Sequence, residues 1–355
     1  MDDSDNEKFN IDLEDEIKKL EMDIKNGLKS IELQDRIHYI IEKYFDYCSK
    51  DEFTKIIEDA SDKVRKKHEE MDEFYVKLET RWGKAIDLLE IFWHLSIDSG
   101  QNLTDEYHKT ASVNQDLVFL TLKMLHGRAC LVTGEIVTLL RNGYPDGAMA
   151  RWRTLYEILV ISDFIKKHGN DTAQRYLEFE QIEEYQGLED YQKYAEKLNK
   201  KTLSSEELAT IEAIIQPLKE KYGKLIRNRY GWAVFDLNLP KNQSPSFKKI
   251  VEQSDYSHYY PYYTWASYSI HSNPKGLTLV LGQPRYQKKV ILAGPSDAAG
   301  IVEPGMITGI TILQINLNFL SISVTLPRLI QMKTMSLLEK RIKDDFYFAS
   351  LNPIP

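Results

Sequence analysis

At 355 residues with 42% hydrophobic side chains, the chain can bury a large core and has room for one, two or three domains. Its formal net charge is −8, yet residues 1–16 hold eight acids against Lys8, so the remainder is close to neutral. That balance argues against a dedicated duplex-DNA binder, and the two distant cysteines, Cys48 and Cys130, exclude a disulfide framework or a zinc knuckle.

The N-terminus, Met1-Asp2-Asp3-Ser4-Asp5, is the reverse of a basic-then-apolar secretory signal. With so few cysteines, this points to a reducing cytoplasm. Next, Leu13, Ile17, Leu20, Ile24, Leu28 and Ile31 step by four and three. So narrow a seam predicts a helix that pairs with another helix, in the same chain or in a second copy. We expect residues 1–72 to form an acidic helical extension that dimerises, and 73–355 to form a helical core domain.

Helices follow at about 73–98 and 113–141. The second has boundary signals: Ser112-Val113-Asn114-Gln115 fits a capping box, and Arg141-Asn142-Gly143 places a cation and a glycine at the end. Tyr144-Pro145-Asp146-Gly147 then launches a helix that ends at Lys166-Lys167-His168-Gly169. Asn170-Asp171 opens an acidic helix to about residue 199, and Ser204-Ser205-Glu206-Glu207 opens another. Connections this short favour antiparallel neighbours in a bundle. After about residue 226 the chain turns loop-like, with a short helix near 246–254 and a Pro261-led helix ending near Ser272-Asn273-Pro274. Leu277–Leu281 and Val290–Ala293 are apolar runs that predict a small β-hairpin near 277–293. From Pro304 to Pro327 no charged residue occurs, long enough to span a bilayer. Thr311, Gln314, Asn318, Ser321 and Thr325 recur at helical spacing there, which favours a buried core helix over a membrane span. The same stretch also alternates apolar and polar, so a strand remains open. The fold class expected is all-α, an antiparallel bundle with that hairpin inserted.

Two clusters could carry chemistry. Arg153 and Glu157 lie one turn apart on a stripe with Ala150, Ile161 and Phe164, where a helix normally carries aliphatics. Charge in such a place is costly unless paired. The second cluster is Tyr263, Ser267 and His271, again at four-residue steps. If the bundle brought His271 to Arg153 and Glu157, the set would suit metal-independent cleavage of a phosphodiester. His271 would be the acid/base, Arg153 the charge stabiliser, Glu157 the orienting group, and Ser267 would stand beside them. Equally, a buried Arg–Glu pair could simply hold two helices together. From Lys219 to Lys249, basic residues outnumber acids and aromatics are interleaved, so Lys224, Arg227, Arg229, Tyr230 and Trp232 are candidates for RNA contact. A solvated helix end with docked aromatics is the plainer reading. His126, Arg128 and Glu135 could extend the polar centre, although surface pairing suits each of them better. No nucleotide, hydrolase or metal motif appears, so no cofactor is expected.

Leu139-Leu140-Arg141-Asn142-Gly143-Tyr144-Pro145-Asp146-Gly147-Ala148, followed by Arg153-Thr154-Leu155-Tyr156-Glu157 and later Ser267-Tyr268-Ser269-Ile270-His271, resembles a bacterial family of unknown function, domain of unknown function 5677, over about residues 75–330. The resemblance implies a helical bacterial cytoplasmic protein and carries no activity with it. More distantly, the chain is similar to helical ribonucleases of the HEPN type, which place an Arg and a His four to six residues apart on one helix. Here the two would come from different helices. Two functions are therefore expected in competition: a ribonuclease-like effector of phage defence, or a non-enzymatic sensor or interaction module whose Arg–Glu pair is structural.

Overall fold

The computed structural model describes residues 3–27, 29–240, 243–271, 274–278, 280–282, 294–297 and 299–351, with side chains described from residue 12 onward except at 269. In chain order the helices are α1 (Asp3–Lys25), α2 (Ser30–Asn114), α3 (Leu117–Arg141), α4 (Pro145–His168), α5 (Asn170–Tyr194) and α6 (Ser205–Tyr222). They continue with α7 (Phe247–Glu252), α8 (Tyr260–Ile270), α9 (Pro274–Thr278), α10 (Val302–Leu320) and α11 (Leu326–Leu351). Among the described residues there is no strand, and the chain is all-α. It divides into two units, residues 1–74 and 75–355, with α2 contributing to both.

In the first unit, α1 reverses into α2 through a turn in which Gly27 takes a φ of 87°, and Arg36 pairs with Asp23 at 2.5 Å. Lys50–Asp46 and Lys55–Asp51 are (i, i+4) ion pairs at 2.7 and 2.6 Å. Pairs at this spacing support a helix, weakly where they are solvated. No described side chain of this unit is buried. Leu13 and Leu20 of the expected seam are half-buried, Ile17, Ile24 and Ile31 are exposed, and Leu28 lies outside the described residues.

The second unit has the core. Trp82, Phe92, Trp152, Tyr156, Phe164, Phe319 and Phe346 are fully buried in it. Helix α10 is central, packed on α3, α4 and α11. Its polar residues are satisfied inside: Thr311 accepts a hydrogen bond from Trp152 Nε1 at 2.8 Å, and Asn316 bridges His126 and Ser96. The strand alternative for this segment is thereby removed. Helix α3 is long and apolar enough to cross a membrane by length and composition, but 56% of its apolar window is buried in this unit.

Several boundaries follow the local chemistry. Pro145 starts α4, Gly143 and Gly169 take φ of 73° and 84° at helix ends, and Ser204 and Glu207 form a complete capping box for α6. The expected box at Ser112 does not form. Helix α2 runs on to Asn114, and Asp116 caps α3 by accepting from the Phe119 N–H at 2.9 Å. Nothing between residues 99 and 112 stops α2. Gly100 sits inside it because a Cβ there would meet the His126 ring at 2.4 Å. The expected hairpin is also corrected where it can be seen. Pro274–Thr278 is helical, and the Leu281 and Gly282 N–H groups donate to the Asp146 carboxylate at 3.0 and 3.1 Å. Those donors are thus taken by a side chain. The second run, Val290–Ala293, lies outside the described residues.

Candidate functional site

Helix α8 packs on α4 and lays Tyr263 across the Arg153–Glu157 pair. The Tyr263 hydroxyl accepts from Arg153 Nη2 at 2.6 Å and donates to Glu157 Oε1 at 2.7 Å, while Arg153 and Glu157 stand 3.3 Å apart. Arg153 Cζ also lies 4.6 Å from the centre of the Tyr263 ring. One phenol therefore binds both charges and stacks on the cation. Burial, then the hydrogen bond to Glu157 and its charge, push the Tyr263 hydroxyl well above the ordinary tyrosine range; Arg153 opposes them. The phenol stays neutral and bridging. The Arg153 and Glu157 side chains remain 19% and 26% exposed, so the clamp touches solvent on one side.

Ser267 and His271 continue the Tyr263 face of α8 without joining the clamp. Ser267 Oγ donates to the Tyr263 carbonyl at 2.8 Å, a bond that occupies its proton. His271 caps the C-terminal end of α8, exposed, its N–H donating to the Ser267 carbonyl at 3.2 Å. It follows Tyr263 by eight residues, about 12 Å along a helix axis. Among the described residues no hydrogen bond or ion pair joins His271 to Arg153 or Glu157.

On its other side Glu157 lines a cleft of about 350 Å³ shared by α3, α4, α5 and the segment after α6. Glu180, Glu183, Tyr176, Arg229, Tyr230 and Trp232 line it too. Burial raises the Glu183 carboxyl, with Arg229 opposing and Glu180 adding to the shift. With Glu157 paired to Arg153, Glu180 and Glu183 stand against Arg229 and leave this lining weakly negative.

Of the candidate RNA-contact residues, Arg229, Tyr230 and Trp232 share the lining of this cleft, and Lys224 and Arg227 are not part of it. Lys224 and Arg227 lie on a 3-10 turn, Lys224–Arg227, and Arg227 pairs with Glu189 of α5 at 2.9 Å. Arg229 is exposed at the cleft, and Tyr230 is half-buried, its ring 6.1 Å from Phe247. Trp232 is 2% exposed, edge-on to Phe164 and Tyr176, with its carbonyl accepting from Arg175 at 3.0 Å. So buried an indole cannot stack on a base. The acidic face of α5 is what answers this basic stretch. Glu178 takes Tyr222 at 2.5 Å and Lys221 at 3.2 Å. Burial works against that carboxylate, but hydrogen bonds from Tyr222, Gln174 and Lys221 outweigh it and hold its pKa down.

Of the outlying residues, Glu135 pairs with Arg151 and Arg128 is exposed. His126 is buried, its Nε2 2.9 Å from Asn316 Oδ1 and its Nδ1 3.8 Å from Cys130 Sγ. Among the described residues, no group of three His, Cys, Asp or Glu could hold a metal ion.

Residues 119–288 match a family of unknown function (DUF5677), a span that takes in the whole clamp and cleft and is narrower than the resemblance read from the sequence. No curated protein and no solved structure matches the chain.

Proposed function

We propose that the chain is a non-enzymatic sensor or interaction module. Its Arg153–Tyr263–Glu157 clamp fixes α8 on α4, and its recognition surface is the cleft on the far side of Glu157. The observation that carries this reading is the position of the Tyr263 hydroxyl, within 2.7 Å of both charged partners. It takes up Arg153 Nη2 and Glu157 Oε1, so a phosphodiester would have to displace it from both. The negative lining of the cleft also works against a polyanion approaching there. Two free cysteines suit a reducing cytoplasm. The exposed apolar residues of the first unit favour a homo-oligomer built through it.

The competing reading is a ribonuclease-like effector of bacterial phage defence using Arg153, Glu157, Ser267 and His271. It requires His271 to reach the clamp and Tyr263 to yield. Mixed RNA incubated with and without EDTA, using wild type and a folded His271→Ala variant, separates the two. We expect no cleavage from either protein. EDTA-resistant cleavage by the wild type that is lost in His271→Ala would overturn the module reading.

A further inference from the structure

Helices α2 and α3 approach closely where glycine replaces a side chain on each. A Cβ on Gly100 would meet His126 at 2.4 Å, and a Cβ on Gly134 would meet the Trp93 ring at 2.6 Å. Trp93, Gly100 and His126 also line a cavity of about 390 Å³. Sites for small molecules commonly begin at about 300 Å³.

The deep side of this cavity is polar but already satisfied. Asn316 donates to Ser96 Oγ at 2.8 Å, which turns its Oδ1 towards His126 Nε2 and assigns the ring proton to that nitrogen. His126 Nδ1 is then bare and faces the Cys130 thiol. Burial lowers the His126 pKa against its bond to Asn316, and pushes the Cys130 thiol up to about 12. Both groups are neutral near pH 7, and the floor carries no charge. Ile97, Leu131 and Phe319 supply apolar wall.

Two donors of the lining have no protein acceptor. The Trp93 indole N–H is sealed from solvent without a hydrogen-bond partner, so this wall offers a ligand the face of the ring and not its donor. Lys123 is half-buried and, among the described residues, has no carboxylate partner. A Cβ on Gly127, also in the lining, would meet nothing within 4 Å, so space stays open at that position.

We propose that this cavity binds a small organic monocarboxylate with an aromatic-sized apolar body. The body lies against Ile97, Leu131 and the Trp93 ring, and the carboxylate pairs with Lys123. A single flexible ammonium, without an arginine fork in the lining, suits one negative charge better than a phosphate or a polyanion.

The test is calorimetric titration of the full chain with naphthalene-2-carboxylate and with its neutral amide. Saturable binding at one site per chain is expected for the carboxylate, about tenfold tighter than for the amide. Lys123→Gln should erase the difference between the two probes. Gly127→Leu places a side chain in the open space and should remove binding of both. Its thermal midpoint should match or exceed that of the wild type, because leucine favours a helix over glycine. Absence of saturable binding by either probe overturns the proposal, and so does unchanged carboxylate affinity in a folded Gly127→Leu variant.

Discussion

A charge on an apolar helix stripe needs a partner, and here a single phenol serves two charges. Tyr263→Phe removes both hydrogen bonds but leaves the ring under Arg153 and the Arg153–Glu157 contact of 3.3 Å intact. We therefore expect a loss of about 1–2 kcal/mol in urea unfolding. Arg153→Ala also removes the stacked cation and leaves Glu157 with only the phenol, and should cost about 2–3 kcal/mol, discounted for partial exposure. A smaller loss for Arg153→Ala than for Tyr263→Phe would show that the cation contributes little. Arg153 and Glu157 were legible in the sequence because an apolar stripe makes charge conspicuous. Tyr263 was legible as a member of the facing stripe, with Ser267 and His271. Periodicity, however, gives a face and not the point along it that meets the neighbouring helix. The step from Tyr263 to His271, two turns, is what puts the phenol and not the imidazole on the Arg153–Glu157 pair.

Among elements, the boundaries that a single side chain can settle were read correctly, and those where two side chains compete were not. Ser204 and Glu207 close a capping box as their spacing predicts, and the adjacent Ser205 has Leu208 three residues on, which cannot complete one. At the α2–α3 junction, Ser112 and Asp116 both offer a cap. Asp116 wins because Gln115 takes a left-handed φ of 51° that ends α2, and its carboxylate then reaches the Phe119 N–H. Asp116→Ala should therefore cost about 1 kcal/mol or more in chemical denaturation, with the loss of the Tyr107 hydroxyl bond at 3.3 Å included. Ser112→Ala, at an exposed position late in α2, should change stability by less than about 0.5 kcal/mol. If the two variants exchange places in that ranking, the cap has been misassigned. The segment before α10 was misread for a different reason. Its apolar runs look like strand, but Asp146, 135 residues before Leu281, takes the backbone donors that a hairpin ladder would use. A partner so distant in sequence leaves no trace in a local pattern.

Taken whole, the molecule joins a unit with a dense aromatic core to one in which no described side chain is buried, and the two should respond to different stresses. In the core unit, burial raises the hydroxyls of Tyr156, Tyr176, Tyr256 and Tyr263 above the ordinary value of 10.0, those of Tyr176 and Tyr256 to about 12. A tyrosine with a raised folded pKa binds its proton more tightly when folded. Its contribution is complete below pH 10 and is lost as pH climbs through the folded pKa. Urea midpoints should accordingly fall between about pH 10 and 12, and the fall should be shallower in Tyr256→Phe. Among its described residues the first unit has no such core. Ile37, Ile41, Phe45, Phe53 and Ile57 are each between 39% and 64% exposed on α2, with surface ion pairs for support. Ion pairs of that kind contribute at most about 1 kcal/mol each, too little to order the helices by themselves. A second copy would cover those side chains, so the full chain should associate with rising concentration in light scattering coupled to size exclusion. Ile37→Lys combined with Ile41→Lys should shift it towards the monomer while leaving the near-ultraviolet signal of the buried Trp82 and Trp152 unchanged. A wild type that stays monomeric at high concentration would mean that this surface awaits a different protein, since so much exposed aliphatic area on one helix is otherwise a standing liability to aggregation.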